Sequence, residues 1–379
     1  MPTDGNIAGT ADGVPGLASI RILRLAFGTA SSLWFSQAIG WDMSYISPVI
    51  TMLMLGLPMP APNLKGGLGF VAALVLSLFA GLLLLPPILN QPMVGFLLLI
   101  LALYWSFYFT AKGGSAILGT FFTMGIAMCV AIGTVSIDGV LAVIKGVSFG
   151  AVAGIAFVWI AHATIPDSMA RDDSFVAVAK PAAPQVSLYQ ARWNAFRSLA
   201  IVLPVAVWLL LSSASTAYLP VMIKVASMGQ QASNDATRLA GRSLILSTLI
   251  GGAGAIVGWH VLRITPTLSV YTLLVALGAL IAGPKIFRGK GMHPDNATWS
   301  YAYMTMIVIL APAVLDGVGG AAAGAKFADR LIMFAATTIY AVLAVYIFDA
   351  FRPIRSTGRS ARSASEHRRN AAAKTQAAG

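Results

Sequence analysis

Twelve long, unbroken apolar runs follow one another along this chain, and they leave almost no fold open to it outside a lipid bilayer. They cover residues 19–40, 44–58, 67–89, 92–111, 114–136 and 140–163, then 195–213, 216–231, 240–261, 267–287, 298–315 and 327–350. A helix crossing the hydrocarbon core needs about 20 apolar residues, and most of these runs have that length. Two, 44–58 and 216–231, are short for a bilayer. Spanning strands would instead alternate apolar and polar residues over roughly ten positions. In lipid every backbone amide must be paired within the protein, so continuously apolar runs become helices. The composition agrees: only 10% of the 379 residues are charged, where a soluble domain carries roughly 25%. A soluble fold and a disordered chain are both excluded.

The placement of charge orients the runs. With twelve spans and both termini in the cytoplasm, 20 of the 25 basic residues fall on the cytoplasmic side or in the tail, as the positive-inside rule requires. The net charge of +12 therefore follows from topology, and no nucleic-acid partner is expected. The single cysteine, Cys129, and the four scattered histidines form no disulfide framework and no metal-ligand spacing. No cofactor is expected. A Gly-Gly-Ala-Gly stretch at 251–254 lies inside an apolar run and lacks the Lys-Ser/Thr ending of a phosphate loop, so ATP binding is not expected. Nor does any nucleophile or acid–base constellation suggest an enzyme.

Two stretches of the chain resemble each other. Arg24 opens a long apolar helix that leads to Tyr45-Ile46-Ser47-Pro48-Val49; Arg197 opens another that leads to Tyr218-Leu219-Pro220-Val221. Asp138-Gly139-Val140 has a counterpart in Asp316-Gly317-Val318, and Lys145 with Phe149 has one in Arg330 with Phe334. Such an ordered set of matches points to internal duplication. Each copy holds six runs, an even number, so both enter the membrane from the same side. The expected fold is an all-α polytopic membrane protein of about twelve transmembrane helices, built as two parallel six-helix repeats. Its parts are a cytoplasmic N-terminal segment (1–18), a first repeat (19–163), a cytoplasmic linker (164–192), a second repeat (193–350) and a basic tail (351–379) expected to be disordered.

The stretch Leu23-Arg24-Leu25-Ala26-Phe27 through Ile46-Ser47-Pro48-Val49-Ile50-Thr51, repeated from Phe196-Arg197-Ser198-Leu199-Ala200 to Tyr218-Leu219-Pro220, resembles the fusaric-acid-resistance and aromatic-acid-exporter superfamily of bacterial inner-membrane proteins. The chain looks like a compact branch of it, without the large cytosolic domain of its bigger members. The resemblance implies efflux of small organic, often aromatic, anions across the inner membrane, together with a periplasmic adaptor of the membrane-fusion type. A homo-oligomer is a further expected assembly. Plant anion channels are distant relatives in the same superfamily, which keeps a channel as the alternative function; a non-transporting membrane scaffold is the third.

The candidate solute-binding residues are Lys224, Pro48, Pro220, Lys145, Arg330, Arg24 and Arg197, and the candidate coupling residues are Asp138 and Asp316. A cation such as Lys224 inside a span is costly to insert, so it either meets a bound anion or snorkels to an interface. Prolines at matched places in two halves mark interrupted helices, a transport-site signature, or else packing kinks. Lys145 and Arg330 suit a positively charged exit or a structural set of ion pairs with Asp138 and Asp329. Arg24 and Arg197 serve either topology or anion capture. Gly146, Gly150 and Gly154 share one helix face and are read as a packing surface.

Overall fold

The computed structural model describes residues 16–41, 43–169, 188–211, 237–315 and 323–350. These residues are almost entirely helical. The N-terminal part contains α1 (Leu17–Ile39), α2 (Ile46–Leu55), α3 (Leu64–Leu83), α4 (Leu85–Asn90), α5 (Pro92–Ala111), α6 (Ala116–Gly133) and α7 (Ile137–Thr164), followed by a 3-10 turn at Asp167–Met169. The C-terminal part contains α8 (Leu188–Leu211), α9 (Thr237–Ile264), α10 (Leu268–Ile286), a two-stranded hairpin of β1 (Phe287–Arg288) and β2 (Gly291–Met292), α11 (Asn296–Leu315) and α12 (Ala323–Ala350). Among the described residues, seven helices are long and apolar enough to cross a membrane, with α3 and α4 counted as one.

Local chemistry sets the helix ends. Side chains of Asn63, Ser136 and Thr267 accept from the backbone amides of Gly66, Gly139 and Val270 at 2.7, 3.1 and 3.3 Å, capping α3, α7 and α10. Gly40 ends α1 in the left-handed conformation, at φ 74°, where a side chain would be strained. Pro92 opens α5, where a missing amide costs nothing.

The run 44–58 departs from the expectation of a spanning helix. It yields α2, only ten residues long, or about 15 Å at 1.5 Å per residue, half of the roughly 30 Å core. Pro58, Pro60 and Pro62 follow it and forbid continuation of the helix. The run 216–231 lies outside the described residues.

Packing partners recur between the two parts. α3 packs on α6 as α9 packs on α11; α1 on α7 as α8 on α12; α3 on α7 as α9 on α12; and α5 on α6 as α10 on α11. Between the parts, α1 packs along α10 and α8 along α5. Burial recurs in register as well. In α5 the buried positions 95, 99, 103, 106, 107, 110 and 111 stand 176 residues before 271, 275, 279, 282, 283, 286 and 287, all buried. In α7 the buried Val140, Val143, Val147, Gly150, Ala151, Gly154 and Ile155 stand 187 residues before Phe327, Arg330, Phe334, Thr337, Thr338, Ala341 and Val342, also all buried.

That register corrects one sequence-level match. Arg330 is buried and its positional counterpart in α7 is Val143, not Lys145. Lys145 is exposed, and Phe149 is 49% exposed where Phe334 is 1% exposed.

The glycine face of α7 is a packing surface, as expected. A Cβ at Gly146, Gly150 or Gly154 would run into Met43, Ile46 or Ile50 respectively, so α2 and the turn before it lie directly against the α7 backbone.

Candidate functional site

The helix α1 carries hydroxyls where an apolar stripe would be expected. Thr29, Ser32 and Ser36 recur at helical spacing on one face, and none is exposed. α2 supplies Ser47 and Thr51, one turn apart and equally buried. The two sets meet. The hydroxyls of Ser32 and Ser47 are 2.7 Å apart, and Thr51 donates towards Ser32 Oγ at 3.1 Å. Thr51 also lies 2.9 Å from the Ser47 carbonyl and 3.1 Å from the carbonyl of Gly154 on α7. The bare Gly154 backbone makes that last contact reachable. Ser36 donates to the Ser32 carbonyl at 2.8 Å. Hydrogen bonds between helices hold a membrane bundle together where apolar burial gives no net drive.

Towards the Leu17 end of α1, Arg24 forms an ion pair with Asp167, which follows α7. One turn earlier, Arg21 donates to the backbone carbonyl of Lys290 in the β1–β2 turn at 2.9 Å. His162 stands beside this group, within electrostatic reach of both Arg24 and Asp167, and its Nδ1 is 2.9 Å from the Val158 carbonyl. One stretch of α1 thus binds the segment after α7 and the hairpin of the C-terminal part. At the opposite end of α1, the Arg330 guanidinium lies close enough to the buried Tyr45 phenol for its charge to act on it. Trp41 stacks edge-on against Phe149 at 4.5 Å between ring centres.

In the C-terminal part the corresponding face is apolar. Val202 and Val205 of α8 stand 173 residues after Thr29 and Ser32, the same separation as Arg24 and Arg197. Pro204, inside α8, lines a groove with Val205 and Trp208 and with Ile332, Met333, Ala336, Thr337 and Tyr340 of α12. Its volume is about 360 Å³.

The residues singled out from sequence separate into four groups. Arg24, Arg197 and Arg330 are buried, at 3, 5 and 5% exposure. Lys145 and Asp138 are exposed on α7, and no ion pair joins them. Lys224, Pro220 and Asp316 lie outside the described residues. Pro48 is buried but interrupts nothing: it is the third residue of α2, within the first turn, where amides have no intrahelical acceptor. The expectation that it frees a carbonyl for solute is corrected on that ground. Sequence reasoning passed over the Ser/Thr network, since isolated hydroxyls barely disturb an apolar run. It also passed over Asp167, which lies 143 residues from its partner Arg24.

A family described as a protein of unknown function (DUF2955) matches residues 21–161. No curated protein and no solved structure matches the chain.

Proposed function

We propose that this chain is an inner-membrane efflux transporter for small organic anions, aromatic ones included, working with a periplasmic adaptor protein. The observation that carries the reading is the burial of Arg24, Arg197 and Arg330 in a bundle of apolar helices. Cations in such surroundings are expensive and kept for a purpose. Arg24, Arg197 and Arg330 are the cations assigned here to the solute's path, and Arg24 also pairs with Asp167.

The transport reading includes the duplicated architecture: two parallel six-helix repeats, 19–163 and 193–350, with both termini cytoplasmic. The recurring helix partners and the constant separations of buried positions support it. The family match, which ends at residue 161, has the extent of one repeat. Two bodies that exchange equivalent contacts, α1 with α10 and α8 with α5, can rock about their shared seam, which gives alternating access.

The test is flux. In proteoliposomes the protein should move radiolabelled benzoate with saturable kinetics, and Arg330→Gln and Arg197→Gln should each lower the rate at least tenfold. Single-channel currents in place of saturable flux would favour the anion-channel alternative. No movement of any small carboxylate would favour a membrane scaffold.

A further inference from the structure

We infer that the β1–β2 hairpin, with the adjoining ends of α10 and α1, binds the phosphate headgroup of an anionic phospholipid. This rests on the membrane reading alone and not on the transport of any solute. The hairpin is the only strand pair among the described residues. It follows directly on α10, a helix long and apolar enough to cross a membrane. Its register pairs Phe287 with Met292 and Arg288 with Gly291. Successive strand residues face opposite sides, so Phe287 is buried while Arg288 is exposed. Gly289 makes the turn at φ 56°, a left-handed conformation that suits glycine. Two hydrogen bonds fasten the hairpin. The His293 amide donates to the Ile286 carbonyl at 2.9 Å, and Arg21 of α1 donates to the Lys290 carbonyl at 2.9 Å. Lys285, Arg288 and Lys290, all exposed, are thus held at the end of α10 beside Arg21.

Charge at this end is unbalanced. Arg21, Arg24, Lys285, Arg288 and Lys290 stand against two acids: Asp167, which pairs with Arg24, and Asp295, which lies 3.7 Å from His293. Lys285 and Arg288 form no ion pair among the described residues. A basic cluster just outside a span attracts anionic headgroups, and guanidinium and ammonium groups both donate to phosphate oxygens. The surface beside the charge selects a lipid over a soluble phosphate. Leu273, Leu277 and Ile281 recur every four residues along α10, and each is more than half exposed. Lys285, next in that series, is exposed too. One helix face therefore carries an apolar stripe that ends in a cation. From residue 273 to residue 285 the stripe runs about 18 Å at 1.5 Å per residue, close to one leaflet's share of the roughly 30 Å hydrocarbon core. An acyl chain lying along it brings its phosphate to Lys285 and Arg288.

The experiment titrates the full-length protein in detergent micelles with dioleoyl phosphatidylglycerol or dioleoyl phosphatidylcholine. Native mass spectrometry counts bound lipid, and thermal unfolding is followed alongside. Phosphatidylglycerol should bind and raise the unfolding temperature; phosphatidylcholine should do neither. Lys285→Gln and Arg288→Gln should each weaken phosphatidylglycerol binding about fivefold, and the double variant about 25-fold. Without lipid these variants should unfold at the wild-type temperature, because both side chains are exposed. Lys112→Gln, an exposed cation at the end of α5, should bind like the wild type. Wild-type affinity in the double variant overturns the inference, and so does an equal loss in Lys112→Gln, which would reduce the effect to general surface charge. Equal binding of phosphatidylcholine overturns it as well. So does displacement of the lipid by glycerol phosphate, which would mark a site for a soluble phosphate. A protein that stays in solution without detergent would instead overturn the membrane reading, and this site with it.

Discussion

The two parts of the molecule use the same helix scaffold to opposite effect. In the N-terminal part, α2 is seated on the bare glycines of α7 and laced to α1 by Ser32, Ser47 and Thr51. In the C-terminal part, the positions matching Gly146 and Gly150 are Met333 and Thr337, and they line an apolar groove against α8. The scaffold tolerates both solutions because the buried stripe that holds each helix to its neighbours is the same, as in α5 and α10. Buried hydroxyls stand at 29, 32 and 36 on α1, whereas α8 has valines at 202 and 205. The lesson is that the two parts share a packing register while differing in side-chain chemistry.

Several substitutions would break or sharpen this contrast. The largest effect is expected at the ion pair: Arg24→Ala leaves Asp167 without its partner and Asp167→Ala strands a buried guanidinium, each costing about 3–5 kcal/mol. Thermal unfolding of the purified protein reads this, and a double variant that recovers part of the loss confirms the coupling. Next, Gly154→Leu should cost at least about 1–3 kcal/mol by overpacking, because Ile50 occupies the space. Thr337→Leu, facing the groove, should stay within about 1 kcal/mol of wild type. Equal losses at the two sites would erase the distinction between a filled seat and an open one. Ser32→Ala should cost about 1 kcal/mol through the Ser47 and Thr51 bonds, whereas Val205→Ala at the matching place removes only groove lining. Smallest of all, Lys145→Ala and Asp138→Ala should shift stability by no more than about 0.5 kcal/mol and leave benzoate flux unchanged, since both side chains are exposed and unjoined.

Much of the helical order was legible in the sequence. The run 92–111 is α5, 267–287 is α10 within a residue at either end, and the longer runs fall on helices throughout, because an apolar stretch in lipid has no other way to pair its backbone. The glycine face of α7 was legible for the same reason: its spacing is a property of one helix. What could not be read depends on which helices meet. The α2 run looked like a span because apolar content reports solubility in lipid, not length of helix. Arg330 was matched with Lys145 because charge stands out in a run of letters, while the buried stripe that pairs it with Val143 emerges only from tertiary contacts. The partnership of Arg24 with Asp167, and that of Thr51 with the Gly154 carbonyl, join residues that no local pattern connects.

Side-specific labelling tests the central claim, two equivalent bundles lying parallel in one membrane, most directly. Cysteines placed at Lys112, after α5, and at Arg288, its counterpart 176 residues on after α10, are read in a Cys129→Ala background with a membrane-impermeant maleimide. The account predicts that both react in inside-out vesicles and neither in intact spheroplasts. Labelling of the two positions from opposite sides would contradict it.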